Sequence, residues 1–316
     1  MGKCSSVEGT SPSSDRKLRI AYSPIYKYAL PDGHRFPMIK YELIPEQLLY
    51  EGSIMEDQFF HPEQMPDEWI LWTHTSAYLE KLNTLQLSRR EVRDIGFPVQ
   101  ESLIVRGKHI AMGTLQCAYY AMENGVSMNV AGGTHHAYAD RGEGFCVFND
   151  IALASNILLR RKKVGKILVV DLDVHQGNGT AHIFQNDPRV FTFSMHGEKN
   201  YPLRKEKSDL DIGLPDGATD GVFLAALRDT LDKLIVDVKP DFIFYLSGVD
   251  ILASDKLGRL SVSLEGCKSR DRHVLERCKH YNIPVAISMG GGYATRIADI
   301  VDANANTFRV AQDVFF

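Results

Sequence analysis

The sequence predicts an α/β fold: a single domain with one open parallel β-sheet flanked by helices. From residue 18 onward, short aliphatic runs alternate with longer amphipathic segments, which is typical of strands separated by helices. The central runs are almost continuously apolar, as expected of parallel strands that are covered on both faces. No repeat, linker or low-complexity segment divides the 316 residues, so we predict one domain over residues 15–316.

The individual elements follow from these runs and from the residues that interrupt them. The predicted strands are Arg19–Tyr22, Met128–Ala131, Ile167–Asp171, Val190–Phe193, Phe242–Ser247 and Val285–Ser288. The predicted helices include Lys108–Asn124, Asp150–Arg161, Val222–Val238 and Ser269–Tyr281, with Gly125 and Gly165 as helix terminators.

The composition argues against nucleic-acid-binding, disulfide-rich and membrane-spanning proteins. A formal net charge of −4 argues against a dedicated nucleic-acid-binding protein, so no direct nucleic-acid contact is expected. The five cysteines form no CxxC pair, which argues against a disulfide framework and a thiolate zinc site and favours a reducing compartment. No apolar run approaches the roughly 20 residues that span a bilayer. We therefore expect a cytoplasmic protein, or a nuclear one in a eukaryote.

Residues 1–14 are predicted to be a disordered leader or a tag, because they are Ser-rich and charged. The same stretch begins "MGKCSS", which matches the pattern for myristoylation at Gly2 and offers Cys4 for a second acyl chain. Lipid anchoring is therefore the alternative interpretation of this segment.

Polar and glycine-rich segments follow five of the predicted strands. They are "GGTHHAYADRGEGFCVFND", "DLDVHQGNG", "SMHGEKNYP", "SGVDILASDKLG" and "MGGGYATR". In open α/β sheets, ligands bind outside the carboxyl ends of the strands. The sequence therefore predicts an active site at that edge of the sheet.

The segment "VVDLDVHQGNG" indicates a metal site. Asp171, Asp173 and His175 are spaced two apart, so their side chains project to one side of an extended backbone. With Asp250 of "SGVD", Asp173 and His175 make a three-ligand set suited to a Zn²⁺ or Fe²⁺-like ion with open positions. Helix capping is the alternative role for these acids, but capping does not need a histidine.

The adjacent histidines of "GGTHH" suggest acid–base catalysis. We expect Asp171 to accept a hydrogen bond from His135 and Asn178 to accept one from His136. A carboxylate raises imidazole basicity more than an amide does, so His135 should be the more readily protonated. Tyr293 of "GGGY" is predicted to hold a developing oxyanion. A phosphate loop is the weaker interpretation of "MGGG", since no Lys-Ser/Thr follows.

Two further features have simple structural interpretations. "RRKK" at Arg160–Lys163 is predicted to be the last turn of a helix, where cations oppose the helix dipole; a nuclear-import or phosphate patch is the alternative. Cys146 lies between Phe145 and Val147 and is predicted to be a packed, inert thiol rather than a nucleophile.

Four of these motifs together resemble the zinc-dependent histone deacetylase family, which has the arginase/deacetylase fold. They are "GGTHHAYADRGEGFCVFND", "DLDVHQGNG", "SGVD" and "GGGY", in the family's order, and the similarity runs from about Leu18 to the C-terminus. Gln176 and Asn178 of "HQGNG", together with "VDILASDKLGRL", make the chain look most like class IV enzymes and their bacterial relatives.

The resemblance implies roles for the site residues. It implies one Zn²⁺ per chain at Asp173, His175 and Asp250, with Tyr293 polarising the acyl carbonyl. It also implies a paired-histidine centre at His135 and His136, supported by Asp171 and Asn178. A structural K⁺ is implied at Asp171, Asp173, His175, Ser194 and Met195. The walls of a narrow acyl-lysine channel are implied at Gly144, Phe145 and Tyr201.

The implied reaction is zinc-dependent hydrolysis of the amide bond of N6-acyl-lysine in a protein or peptide. A ureohydrolase with two manganese ions is disfavoured, because Gly177 and Leu252 stand where its additional ligands would be. A small-molecule amidohydrolase such as an acetylpolyamine deacetylase is the alternative enzyme. A non-catalytic zinc-binding scaffold is the alternative outside enzymes.

Overall fold

The structure is a computed structural model that describes residues 16–316. The leader predicted over residues 1–14 and the acylation pattern at Gly2 and Cys4 lie outside the described residues. None of the helices within residues 16–316 is long and apolar enough to cross a lipid bilayer.

Eight strands form one sheet in which every pair of neighbours is parallel. They are β1 (Arg19–Ala21), β2 (Phe59–Phe60), β3 (Val126–Asn129), β4 (Ile167–Asp171), β5 (Val190–Gly197), β6 (Leu210–Leu214), β7 (Phe242–Leu246) and β8 (Val285–Ser288). Their order across the sheet is β2-β1-β3-β8-β7-β4-β5-β6. This confirms the predicted parallel α/β sheet.

Helices flank the sheet and connect its strands. They are α1 (Lys40–Tyr50), α2 (Asp67–Ile70), α3 (Ser76–Asn83), α4 (Arg89–Ile95), α5 (Glu101–Asn124), α6 (Asp150–Arg160), α7 (Asn178–Phe184), α8 (Asp220–Val238), α9 (Leu264–His280) and α10 (Ile297–Phe315). Every residue of β3, β4, β7 and β8 is buried. That burial on both faces explains why these strands are continuously apolar in the sequence.

All six predicted strands are present: β4 and β8 have the predicted bounds, and the other four have shifted ends. β3 covers Val126–Asn129 rather than Met128–Ala131, because α5 ends at Gly125 and the strand begins directly after it. β5 continues beyond the predicted end to Gly197. The two edge strands were not predicted: β2 has only two residues, and β6 alternates partly buried and exposed positions.

The helix ends also differ from the predictions. Gly125 ends α5 with a φ of +90°, as predicted, but α5 begins seven residues before Lys108, at Glu101. Gly165 is not a helix terminator: α6 ends at Arg160, and Lys162 takes the left-handed φ of +54°. Only Arg160 of "RRKK" is therefore helical. α9 begins at Leu264, earlier than predicted, because the Ser263 hydroxyl caps it.

Candidate metal centre and active site

Five adjacent strands end in polar loops at one edge of the sheet. These strands are β3, β8, β7, β4 and β5, in that spatial order. Their loops carry the predicted site residues: His135 and His136 after β3, Tyr293 after β8, Asp250 after β7, and Asp173 and His175 after β4. The parallel topology therefore brings residues more than 150 positions apart in the chain into one site.

Asp173, His175 and Asp250 form a buried cluster. Their candidate ligand atoms all lie within 4.8 Å of one another, and within residues 16–316 this is the one group of at least three such residues. His175 Nδ1 is 3.0 Å from Asp173 Oδ1 and 3.0 Å from Asp250 Oδ2. Ligands about 2 Å from a tetrahedral zinc lie roughly 3.3 Å apart, so these separations suit a small divalent ion.

The electrostatics of the cluster also fit a cation. Asp250 Oδ2 is buried and lies 3.0 Å from His175 Nδ1 in a geometry that does not make a regular hydrogen bond. Burial and the neighbouring Asp173 carboxylate raise the pKa of Asp250. Burial opposes protonation of His175, but its contacts with Asp173 and Asp250 raise its pKa to about 10. Two buried carboxylates need a positive charge between them, which either a proton or a metal ion at His175 Nδ1 would supply.

Glycines allow the backbone to approach these carboxylates. The Gly291 N–H donates to Asp173 Oδ2 at 2.7 Å, and a Cβ at Gly291 would overlap Asp250 Oδ2. A Cβ at Gly248 would overlap Asp173 Oδ2 in the same way. The glycines of "SGVD" and "GGGY" thus leave room for the ligand side chains rather than for a phosphate.

His135 and His136 lie beside the cluster with ring centroids 4.1 Å apart. Both expected hydrogen bonds are present: His135 Nδ1 is 2.6 Å from Asp171 Oδ2, and His136 Nδ1 is 2.6 Å from Asn178 Oδ1. Burial lowers the pKa of His135, but the Asp171 carboxylate outweighs this effect and the pKa rises to about 8. Burial and the adjacent His135 hold the pKa of His136 well below its ordinary value. The two imidazoles therefore differ in basicity in the expected direction.

Tyr293 is buried, and its ring centroid is 6.3 Å from that of His175. Burial and the Asp250 carboxylate raise the pKa of its phenol well above the ordinary value, so the hydroxyl keeps its proton. The Tyr293 backbone N–H donates to Asp255 Oδ2 at 2.5 Å, which fixes the end of the glycine-rich loop. A protonated hydroxyl held beside the cluster can donate to an anionic oxygen.

A cavity of about 540 Å³ connects the surface with the cluster. The three predicted channel residues, Gly144, Phe145 and Tyr201, line it. His136, His175 and Tyr293 lie at its buried end. Charged residues lie at its exposed end: Arg35, Arg93, Asp94 and Glu143. Gly144 and Phe145 both have positive φ, and a Cβ at Gly144 would approach the His136 ring. This tight turn places the Phe145 ring in the cavity wall.

The residues of the implied potassium site lie at the end of β4, in the loop that follows it, and on β5: Asp171 is the last residue of β4, Asp173 and His175 are in the loop, and Ser194 and Met195 are on β5. Asp171 and Ser194 are register partners there, and Met195 follows Ser194. The Asp173 N–H donates to Asp171 Oδ1 at 3.2 Å, and the Ser194 hydroxyl is 2.9 Å from His196 Nδ1. Asp171 therefore contacts both the histidine pair and the loop that carries the candidate metal ligands Asp173 and His175.

The positions relevant to a second metal do not supply ligands. Gly177 has no side chain, and a Cβ there would overlap Asp171 Oδ2. Leu252 is buried and apolar. Cys146 is buried, and burial raises the pKa of its thiol, in agreement with an inert packed cysteine.

Sequence reasoning missed two buried cations next to the site. Lys40 is fully buried at the start of α1, and its Nζ donates to the Gly290 carbonyl at 3.0 Å. Arg270 is fully buried in α9 and donates to the carbonyls of Leu172, Ser247 and Gly248. Arg270 therefore joins the ends of β4 and β7, which precede the candidate metal ligands. Its sequence context, "KSRDRH", shows the pattern of an exposed helix face.

Comparison with known proteins gives consistent matches. The profile of the histone deacetylase domain matches residues 34–308. An uncharacterized protein of Picosynechococcus is 43% identical over 297 residues, covering 94% of this chain and 99% of that protein. Histone deacetylase 2 of Arabidopsis thaliana is 30% identical over 297 residues, covering 90% of this chain and 77% of that protein.

More distant similarity extends to a bacterial protein and to a crystal structure. The acetoin utilization protein AcuC of Staphylococcus aureus is 27% identical over 299 residues, covering 87% of this chain and 77% of that protein. The crystal structure of the HDA15 HD domain matches with a TM-score of 0.79 and 19% identity, covering 93% of this chain and 90% of that chain. This last match supports the fold.

Proposed function

The chain belongs to the histone deacetylase family, and from this we propose that it hydrolyses the amide bond of N6-acyl-lysine in a protein or peptide with one bound zinc ion. The observation that carries the proposal is the buried cluster of Asp173, His175 and Asp250, whose candidate ligand atoms all lie within 4.8 Å of one another. The cluster lies at the end of a cavity that His136 and Tyr293 also line.

The proposed chemistry divides between the ion and the side chains. A zinc ion bound at the cluster would lower the pKa of a water molecule and polarise the acyl carbonyl. His136 is suited to accept the proton of the water, because its Nδ1 faces the Asn178 carbonyl oxygen and so carries the hydrogen, which leaves the lone pair on Nε2. The Tyr293 hydroxyl is suited to donate to the carbonyl oxygen as it becomes negative.

The leaving amine needs a proton. A protonated histidine of the pair supplies it as the C–N bond breaks, and the products are lysine and a carboxylate. His135 is held by the Asp171 carboxylate, which stabilises an imidazolium. The two histidines therefore suit complementary roles in proton transfer.

We also propose a structural potassium ion near Asp171 and Ser194, with carbonyls of Asp173, His175 and Met195 as further ligands. The register pairing of Asp171 with Ser194 supports this site. Replacing potassium in the buffer by tetramethylammonium should lower the melting temperature, and an unchanged melting temperature would contradict the site.

The class IV placement is likewise a proposal. It is supported by Asn178, whose side-chain oxygen is the partner of His136, and by the buried Gln176, which donates to the Glu206 carbonyl and to Asp211.

The proposed function is tested with a substrate panel. Purified protein with zinc is incubated with lysine peptides that carry acyl groups of increasing length, and with acetylated polyamines. We expect turnover of at least one acyl-lysine peptide and its loss in Asp250→Asn, which removes a ligand charge at nearly constant size. Turnover of acetylpolyamines alone would indicate a small-molecule amidohydrolase. No turnover with zinc bound would indicate a non-catalytic scaffold.

A further inference from the structure

Two arginines line the exposed end of the cavity without a carboxylate partner in the described part of the chain. Arg35 and Arg93 are both exposed, and neither lies within 4.0 Å of a carboxylate oxygen of residues 16–316. The Arg35 guanidinium instead lies 5.0 Å from the ring centroid of Phe145, a wall residue of the cavity.

The acidic residues of the same cavity already have cationic partners. Glu143 accepts from Arg141 Nε at 2.9 Å and from the Tyr201 hydroxyl at 2.9 Å. Asp94 lies 3.6 Å from Arg90. The charges of Arg35 and Arg93 are therefore not balanced by these two carboxylates, although the chain as a whole has a net charge of −4.

Both arginines flank the wall formed by Phe145. The backbone of residues 94–95 accepts from Gly144 and Phe145, at 3.0 Å and 2.7 Å, so Arg93 directly precedes the segment that holds the Phe145 turn. Arg35 and Arg93 are exposed, whereas His136 and His175 at the other end are buried. An anionic group would thus meet them outside the channel, on the carrier of the acyl-lysine, rather than at the end of the acyl chain.

We infer that the substrate carries a negatively charged group close to the acyl-lysine, such as an acidic side chain of the same peptide, which Arg35 and Arg93 recognise. This inference rests on the proposed function, because it assumes that an acyl-lysine enters this cavity. Exposed ion pairs contribute little individually, so the preference should be modest, roughly 3- to 10-fold in kcat/KM for an acidic over a basic peptide.

The test uses three acetyl-lysine peptides that differ only in the residues flanking the lysine: aspartate, alanine or lysine. We expect kcat/KM to follow that order at about 0.1 M salt and to converge at about 1 M salt, where the Debye length falls to about 3 Å. Arg35→Gln, Arg93→Gln and their combination should reduce the ratio of kcat/KM for the aspartate peptide to kcat/KM for the lysine peptide. Arg89→Gln is the matched control, because Arg89 is an exposed arginine on α4 that does not line the cavity.

Equal kcat/KM for the three peptides, or a preference that survives in the double variant, would overturn the inference. A succinyl-lysine peptide with alanine flanks tests whether the anion lies on the acyl chain instead of on the flanking residues. If this peptide is preferred over the acetyl-lysine peptide with alanine flanks, and the preference depends on the two arginines, the proposed position of the anion is overturned. Absence of turnover on every peptide contradicts the proposed function instead. The affinity of the three labelled peptides, measured by fluorescence anisotropy, then decides the inference, since tighter arginine-dependent binding of the acidic peptide supports it and equal binding overturns it.

Discussion

Replacing Arg270 by methionine should strongly destabilise the fold. The Arg270 side chain is fully buried, and its Nε donates to Asp271 Oδ1 at 2.9 Å. Asp271 also accepts from the hydroxyls of Tyr245 and Thr307, at 2.5 Å and 2.8 Å. Methionine is long enough to fill much of the space but donates no hydrogen bond, so Arg270→Met leaves the Asp271 carboxylate buried without its cation.

The size of the effect follows from this burial. Removing one partner of a buried ion pair typically costs about 3–5 kcal/mol, because the remaining charge is uncompensated. Three carbonyls, those of Leu172, Ser247 and Gly248, also lose a donor. Since a domain is usually stable by only about 5–15 kcal/mol, a loss of this size is a large fraction of the total.

The same helix provides a matched control. Arg272 lies two residues further along α9 and pairs with Asp313 at 2.6 Å, but both side chains are exposed, at 40% and 64%. Arg272→Met should therefore change the free energy of unfolding by no more than about 1 kcal/mol. Arg270→Met/Asp271→Asn should be less destabilised than Arg270→Met alone, because it removes both charges.

Urea unfolding followed by far-ultraviolet circular dichroism, with all variants at the same zinc concentration, measures these differences. Equal losses in the free energy of unfolding for Arg270→Met and Arg272→Met would show that burial does not determine the contribution of these ion pairs. A double variant that is less stable than Arg270→Met would contradict the expected benefit of removing both charges.

Three further predictions concern the site. Tyr293→Phe should lower kcat for an acyl-lysine peptide by about 10²–10³-fold with little change in KM, because a single preorganised donor to the oxyanion is lost. Full activity with zinc bound would show that Tyr293 is a packing residue. His136→Ala should lose roughly 10²–10⁴-fold in kcat while metal analysis shows zinc retained, and near-normal turnover would place the base elsewhere. Gly291→Ala should weaken zinc binding, measured by competition with a chelating dye, because the added methyl group would overlap Asp250 Oδ2. Gly221→Ala in α8 is the control, since no heavy atom lies within 4 Å of the added Cβ. Equal zinc affinity in the two variants would contradict this prediction.

The sequence predicted the sheet and the convergence of site residues because both depend on local patterns. Continuous apolar runs marked the buried strands, and the carboxyl-edge rule then placed Asp173, His175 and Asp250 at one edge. The partners of His135 and His136 could be inferred because Asp171 and Asn178 belong to one short sequence motif, at the two ends of the loop between β4 and α7. These features need little knowledge of long-range packing.

Other features depend on packing between distant segments. The two residues of β2 are a strand only because they pair with β1, and β6 has one face exposed. Neither segment therefore shows the apolar pattern of a buried strand. Arg270 occupies a charged helical stretch, and only the packing of α9 beneath the ends of β4 and β7 reveals that it is buried. Gly165 was wrongly predicted to terminate α6, because Lys162, rather than a glycine, adopts the left-handed conformation.

We propose that one divalent ion at Asp173, His175 and Asp250 supports acyl-lysine hydrolysis. The most direct measurement is a zinc titration of metal-free protein in which bound metal and turnover of an acyl-lysine peptide are followed together. We expect turnover to rise in proportion to bound zinc and to reach its maximum at one ion per chain. Asp250→Asn should show neither tight zinc binding nor turnover. Full turnover in metal-free protein, or a requirement for two manganese ions per chain, would contradict the proposal.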